Sequence, residues 1–403
     1  MPVPTVSEPP EGTPHHPPRL PRPHPVPRLT APARALPAEG SAPHETEAFW
    51  ADVRRRGTPL VGPDPQGTDD HAAVTFLWRG TSATRTVRVL PNKLGDPRDP
   101  DGNLMTHVPG TDVWHWTLRL RHDWRGTYDL HVDEGEGPRR RTDPFNTRSL
   151  PHRWDGEPVP YAELPAAPDA SDWQPRPGVE QGTVTERKLH GRRVWLYQPP
   201  APAEDVPVLV LLDGEHWQPR LGLSTLLDNL IADGRIPAIA AVLPEAVDEP
   251  TRWAELSCRP EYVTHLADEL LPWAAARLPI TADPARTVIA GQSLGGLTAA
   301  YAAVSAPHRF GNALVQSGSF WWPVGDDTEW LTRVLAGTPR LPVRFRLSFG
   351  EQEWVALPAA RRLRDTLAAL GYHDSSYREF NGGHDYLCWR TELADGLVEL
   401  LGR

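Results

Sequence analysis

The chain has 403 residues, 39% hydrophobic and 23% charged, with a formal net charge of −10. That length fits two domains, and the acidic balance excludes a general nucleic-acid binder, which needs a basic field. No run approaches the roughly 18–20 apolar residues of a membrane span, and the start lacks the basic, apolar and cleavage-site order of a secretory signal; the expected setting is the cytoplasm, with no membrane partner.

Two cysteines, Cys258 and Cys388, supply neither a disulfide framework nor a paired metal-ligand spacing, so no metal site is expected. Basic charge is almost all arginine, with lysine only at Lys93 and Lys188, a skew that fits codon composition. Proline is abundant at 47 residues and concentrates toward the N-terminus. Residues 1–44 carry few large apolar side chains and cannot offset their ordering entropy, which predicts a disordered arm.

A short helix is expected at Glu47–Val53. From there to about residue 135 the apolar period is two: Val74, Phe76 and Trp78, then Val87 and Val89, then Val113–Leu120, then Tyr128–Val132. Short alternating strands punctuated by Pro109-Gly110-Thr111-Asp112 and Arg125-Gly126 predict a small antiparallel sandwich of immunoglobulin-like kind over 45–135. Its tryptophans 78, 114, 116 and 124 fit core and rim. Residues 136–182 show little periodicity and read as a long linker.

Beyond residue 183 the pattern changes. Near-continuous apolar runs at 206–212, 238–243 and 287–290 alternate with helical stretches at 221–232, 262–278, 297–304, 359–370 and 391–401. Strands are also expected at 194–197, 343–348 and 376–380. That alternation predicts a parallel sheet covered on both faces over 183–403.

Gly291-Gln292-Ser293-Leu294-Gly295 matches G-x-S-x-G, and it sits between a strand and a helix as a nucleophile elbow must. A serine hydroxyl needs a base, and in the α/β-hydrolase order the acid and then the histidine follow the serine. His384, in Asn381-Gly382-Gly383-His384-Asp385 after the last expected strand, is the base candidate. Other histidines lie in the arm, before the serine, or beside helices. The acid is expected in Gly350-Glu351-Gln352-Glu353-Trp354, with Glu353 preferred and Glu351 the alternative; Asp385 is expected to cap the last helix. Two oxyanion donors are needed. The N–H of Leu294 is one, and the loop Asp213-Gly214-Glu215, through Gly214, is the candidate for the other.

With these residues placed, the chain resembles the enterochelin (enterobactin) esterases, ferric-siderophore hydrolases of the esterase D-like group. The likeness rests on Pro109–Trp114, Trp124-Arg125-Gly126, Leu211–Gly214 with Trp217, and Glu269–Pro272. It continues through Ala290–Leu297, Gln316-Ser317-Gly318-Ser319-Phe320-Trp321-Trp322-Pro323, Gly382–Asp385 and Cys388-Trp389-Arg390. Leu294, where phenylalanine is common, and Trp354, where proline is common, depart from the pattern. The resemblance implies an α/β-hydrolase esterase domain with an N-terminal sandwich that helps close over substrate, and it places the catalytic serine, acid and histidine on Ser293, Glu353 and His384.

The implied substrate is the trilactone of a ferric catecholate siderophore, hydrolysed in the cytoplasm to release iron. A triply anionic tris-catecholate on an acidic protein requires a local basic patch. Arg252 and Arg390 are candidates for it, and Trp217, Trp321 and Trp322 for contact with catechol rings, each competing with a structural role. No cofactor is implied, because iron arrives inside the substrate. The alternatives are a feruloyl, acetyl-ester or S-formylglutathione hydrolase of the same fold, or a non-catalytic siderophore-binding protein. Oligomeric state is left open.

Overall fold

The computed structural model describes residues 17–96, 98–201, 204–323 and 328–402. By internal contacts the chain divides into two units, one of Arg22–Pro168 with Asn381–Cys388, the other of Asp169–Phe380 with the chain from Trp389 onward.

Among the described residues the first unit holds ten strands: β1 (Arg28–Leu29), β2 (Leu60–Pro63), β3 (His71–Arg79), β4 (Thr86–Pro91), β5 (Thr106–His107), β6 (Val113–Arg121), β7 (Arg125–Asp133), β8 (Pro138–Arg141), β9 (Ser149–Pro151) and β10 (Pro158–Glu163). They form two antiparallel sheets, β1-β6-β3-β2 with β5 on β6, and β4-β7-β10-β9 with β8 on β7. Inward residues of both sheets, including Phe76, Trp116, Val87, Val89 and Tyr128, share one core with Trp124 from the turn between β6 and β7. Alternation made β3, β4, β6 and β7 readable. The expected short helix is longer, Pro43–Arg56, with Trp50 and Val53 buried beneath it.

Two expectations change here. The stretch predicted as a linker over 136–182 contributes β8, β9 and β10 to the all-β unit. Its prolines disguised this. Pro158 and Pro160 lie where β10 faces the short edge strand β9, while its other end, Tyr161–Glu163, joins β7; proline is tolerated at such edges. The arm predicted over 1–44 is also partly built in. Arg28 and Leu29 pair with Leu118 and Thr117 as β1, and the Ala33 N–H donates to Thr75 Oγ1 at 2.7 Å. Backbone hydrogen bonds need no apolar side chains, so composition does not reveal them. Residues 1–16 lie outside the described residues.

Among the described residues the second unit is built on eight strands: β11 (Thr183–Leu189), β12 (Arg192–Gln198), β13 (Val208–Leu211), β14 (Ala240–Pro244), β15 (Thr287–Gln292), β16 (Asn312–Gln316), β17 (Arg344–Gly350) and β18 (Ser376–Phe380). Their order is β11-β12-β14-β13-β15-β16-β17-β18. The β11–β12 hairpin is antiparallel and β12 meets β14 antiparallel, and every pairing from β14 to β18 is parallel. Every residue of β13, β14, β15 and β16 is buried, as expected of strands covered on both faces.

Helices fall near their expected places, at Leu223–Ala232, Leu294–Ser305, Leu357–Ala369 and Tyr386–Leu401. The helix expected over 262–278 runs as Pro260–Thr264, a π-helical His265–Leu270 and Leu271–Ala275. Pro272 has no N–H to donate back into the preceding turn, and the wider π turn absorbs that missing bond. No helix among the described residues is long and apolar enough to cross a membrane.

Candidate active site

Ser293 stands between β15 and the helix Leu294–Ser305 with φ 58° and ψ −122°. A side chain at that φ is strained and persists only where neighbours fix it. Here the Ser293 N–H donates to the Gln316 carbonyl at 3.0 Å, and the Ser293 carbonyl accepts from the Ser319 and Leu297 N–H groups, each at 3.0 Å. The sharp turn thus lifts the serine out of the strand at the end of a parallel sheet. Leu294 opens the helix, where the first N–H groups lack partners in the helix itself.

The loop after β13 faces the same sheet edge. Asp213 adopts a left-handed φ of 65° and Gly214 begins a single helical turn, Gly214–Trp217. A Cβ on Gly214 would stand 2.5 Å from the Leu243 carbonyl oxygen, so only glycine fits this close approach. Asp213 accepts from Arg252 Nε at 2.8 Å and Arg252 Nη2 at 2.9 Å. Gln292 Nε2 donates to Asp213 Oδ2, and Gln292 Oε1 accepts from Trp217 Nε1 at 3.1 Å.

Glu353, in the turn after β17, is 2% exposed, whereas Glu351 lies on the surface. Glu353 Oε1 accepts from the Gly350 N–H at 2.7 Å and from Ser317 Oγ at 2.5 Å. Ser317 Oγ in turn accepts from Trp389 Nε1 at 2.8 Å. Of the two glutamates left open from sequence, Glu353 is the buried one and Glu351 the exposed one.

His384 sits on the loop between β18 and the helix Tyr386–Leu401, in the segment that groups with the all-β unit. Its N–H donates to Asn92 Oδ1 at 3.0 Å and its carbonyl accepts from Asn92 Nδ2 at 3.0 Å. Asp385 caps the helix as expected, Oδ1 accepting from the Leu387 N–H at 2.7 Å. Its Oδ2 also takes the Thr127 N–H at 2.6 Å and Thr127 Oγ1 at 2.7 Å. Burial raises the Asp385 carboxyl above its ordinary value, and the Thr127 and Leu387 donors oppose that rise.

The expected substrate-contact residues are placed less favourably. Arg252 is 6% exposed, and besides Asp213 its Nη2 meets the Gln292 carbonyl at 3.3 Å. Trp217 is fully buried, 5.9 Å from the Trp173 ring. The Arg390 guanidinium lies over the Trp173 ring, 5.0 Å from its centre, while Trp173 Nε1 donates to the Arg390 carbonyl at 3.1 Å. These three therefore serve the interior, where a guanidinium or indole needs fixed partners. Trp321 and Trp322 are also largely buried, their rings 5.5 Å apart, and Trp322 is 5.6 Å from Trp253. Sequence reasoning missed Asn92, Thr127 and Ser317. Ser317 lay inside a motif already singled out, but Asn92 carried only the weak signal of a turn after a strand.

A strained serine in a G-x-S-x-G turn, on this sheet order, defines a serine hydrolase of the α/β-hydrolase class. Comparison with known proteins narrows the class. Residues 189–400 match the family model "Putative esterase", and residues 73–173 match "Enterochelin esterase, N-terminal". The iron(III) enterobactin esterase of Dickeya dadantii is 34% identical, covering 88% of this chain and 93% of that protein. The iron(III) salmochelin esterase of Escherichia coli O6:H1 is 32% identical, over 88% of this chain and 93% of that protein. The crystal structure of the enterobactin esterase of Shigella flexneri, determined in the presence of enterobactin, superposes with a TM-score of 0.77 at 31% identity, covering 88% of this chain and 97% of that one. The chain belongs to the family of the iron(III) enterobactin esterases and is a carboxylic ester hydrolase.

Proposed function

We propose that this chain hydrolyses the trilactone backbone of a catecholate siderophore, ferric enterobactin or a close analogue, in the cytoplasm. The observation that carries the reading is the strained Ser293 elbow in a chain related along 88% of its length to an iron(III) enterobactin esterase. In this reading Ser293 Oγ attacks a lactone carbonyl while His384 takes its proton. Glu353 orients and stabilises the imidazolium, and the N–H groups of Leu294 and Gly214 hold the oxyanion. The imidazolium protonates the leaving alkoxide, and water then cleaves the acyl-serine, with His384 again accepting the proton. Opening the macrocycle removes the preorganisation that holds six oxygens on iron, and metal release becomes easier. The scheme uses no cofactor, since iron enters as part of the substrate. The all-β unit is read as an immunoglobulin-like sandwich, supported by its two antiparallel sheets around one core.

The test is chromatography of ferric enterobactin after incubation with wild type and with Ser293→Ala. Linear dihydroxybenzoyl-serine products with wild type alone are expected. Turnover of a small aryl ester with the trilactone left intact would sink the siderophore reading while keeping the serine esterase. Silence on both, with folded protein, would favour a binding protein.

A further inference from the structure

The unit of Arg22–Pro168 and Asn381–Cys388 contains the His384 loop as one of its own parts, and one amide straddles the histidine itself. Asn92 follows β4, where its N–H donates to the Thr127 carbonyl at 2.8 Å and so extends the β4–β7 ladder by one rung. The turn beyond is closed by the Leu94 N–H to the Pro91 carbonyl at 3.0 Å, with Lys93 at a φ of 59°. The Asn92 backbone is therefore fixed on both sides. From that base Oδ1 accepts the His384 N–H and Nδ2 donates to the His384 carbonyl, both at 3.0 Å. Both polar groups of one peptide residue are thus held by one short, two-torsion side chain, which fixes the loop in position and in rotation.

The neighbouring residues agree with such a clamp. A Cβ on Gly383 would stand 2.6 Å from the Asn92 carbonyl oxygen and 2.7 Å from its Oδ1, so a glycine here admits the asparagine. On the other side of His384, Asp385 accepts two hydrogen bonds from Thr127, the residue that also anchors the Asn92 N–H. At the start of the helix that follows, Tyr386 Oη accepts from Arg153 Nη1 at 3.0 Å.

We propose that Asn92, backed by Thr127, is a positioning residue for the catalytic base. The proposal rests on the reading of His384 as that base. A base displaced by about an ångström loses up to ~100-fold in rate, and general-base catalysis is itself worth about 100- to 10,000-fold. The defect belongs in kcat, because Asn92 acts on the proton acceptor.

Steady-state kinetics with ferric enterobactin and with 4-nitrophenyl acetate would be measured for wild type, Asn92→Ala, His384→Ala and the double variant. Asn92→Ala is expected to lower kcat about 10- to 100-fold on both substrates with KM within about twofold. In the His384→Ala background, the same substitution is expected to cost less than about twofold of the residual aryl-ester rate, because the group it positions is gone. A wild-type kcat for Asn92→Ala overturns the proposal, and so does an equal loss in both backgrounds, which is the mark of general structural damage. Wild-type rates for His384→Ala would instead refute the base reading, and the proposal with it. Asn92→Asp keeps the acceptor for the His384 N–H and loses the donor; if Asn92→Ala does not fold, Asn92→Asp is expected to show the same kcat defect, and its absence overturns the proposal.

Discussion

Arg252 grips Asp213 at two points, Nε to Oδ1 at 2.8 Å and Nη2 to Oδ2 at 2.9 Å, with both side chains in the interior. Since Gln292 Nε2 donates to the same carboxylate, the loop after β13 and the residue before Ser293 share one polar network. Arg252→Met would leave Asp213 buried without its counter-charge. The expected cost is about 3–5 kcal/mol, the usual range for breaking a buried pair from one side. Arg252→Lys keeps the charge and loses the planar fork, and should fall between. Urea midpoints at constant slope measure both, and a wild-type midpoint for Arg252→Met would show that the pair does not brace this region.

Ser293 offers a test of stored strain. Ser293→Ala and Ser293→Gly should both abolish ester hydrolysis, yet differ in stability. With φ 58° and ψ −122°, alanine keeps a Cβ where only glycine is comfortable, a strain of about 1–3 kcal/mol. The greater unfolded-state freedom of glycine takes back about 0.4–1 kcal/mol of that gain. Ser293→Gly is expected to unfold at the higher urea concentration by about 1 kcal/mol equivalent, and identical curves would argue against strain at the elbow.

The two glutamates after β17 should separate cleanly in kinetics. Glu353→Gln retains the shape that meets Ser317 Oγ and the Gly350 N–H but removes the charge that stabilises an imidazolium. It is expected to lower kcat by about 100-fold or more. Glu351→Gln, on the surface, should stay within about twofold of wild type. The reverse ranking would transfer the acid role to Glu351.

The all-β unit carries a pH-dependent brace. Asp64 accepts from Arg119 Nε and Nη2 at 2.9 and 3.0 Å and from Thr68 N–H and Oγ1 at 3.1 and 2.8 Å. The Arg119 contact, foremost, and the Thr68 donors hold its carboxyl well below the ordinary carboxylate range. With the folded-state value depressed, the unfolded chain takes up the proton first as pH falls. The stabilisation is therefore fully present above about pH 5, declines below the ordinary value of about 4, and is lost as pH passes through the folded value. The gap in melting temperature between wild type and Asp64→Asn should be constant from pH 6 to 8 and shrink toward pH 3. A gap independent of pH would refute the assignment.

Periodicity made the elements that bury one face or both readable. Phe76 and Trp78 in β3, and Val208–Leu211 in β13, declare themselves by alternation or by continuous apolar character. β16 was missed because Ala313, Leu314 and Val315 are its only apolar residues, between Asn312 and Gln316. β1, β8 and β9 are held by backbone pairing at sheet edges, where side-chain pattern has little to say. Within the proposed site, Ser293 and His384 are the candidates that motif and chain order offer, while the same reasoning leaves Glu353 and Glu351 both open. Arg252, Arg390 and Trp217 show the converse limit: a residue type suited to a catecholate anion is equally suited to an interior ion pair or stack, and only neighbours distinguish the two. Asn92 was invisible because its meaning lies in a residue far along the chain.

That distance has a consequence for the order of assembly. Asn92 and His384 are separated by 292 positions, among the longest loops the chain closes, and so remote a contact forms after local ones. During synthesis the all-β unit can complete its two sheets while its last segment, Asn381–Cys388, does not yet exist. In the proposed scheme, a ribosome-bound chain that has already made Ser293, Glu353 and the Asn92–Thr127 seat still lacks the histidine that the seat receives. On that proposal hydrolytic competence arrives late and in one step, when the loop emerges and docks onto Asn92 and Thr127, already in place long before.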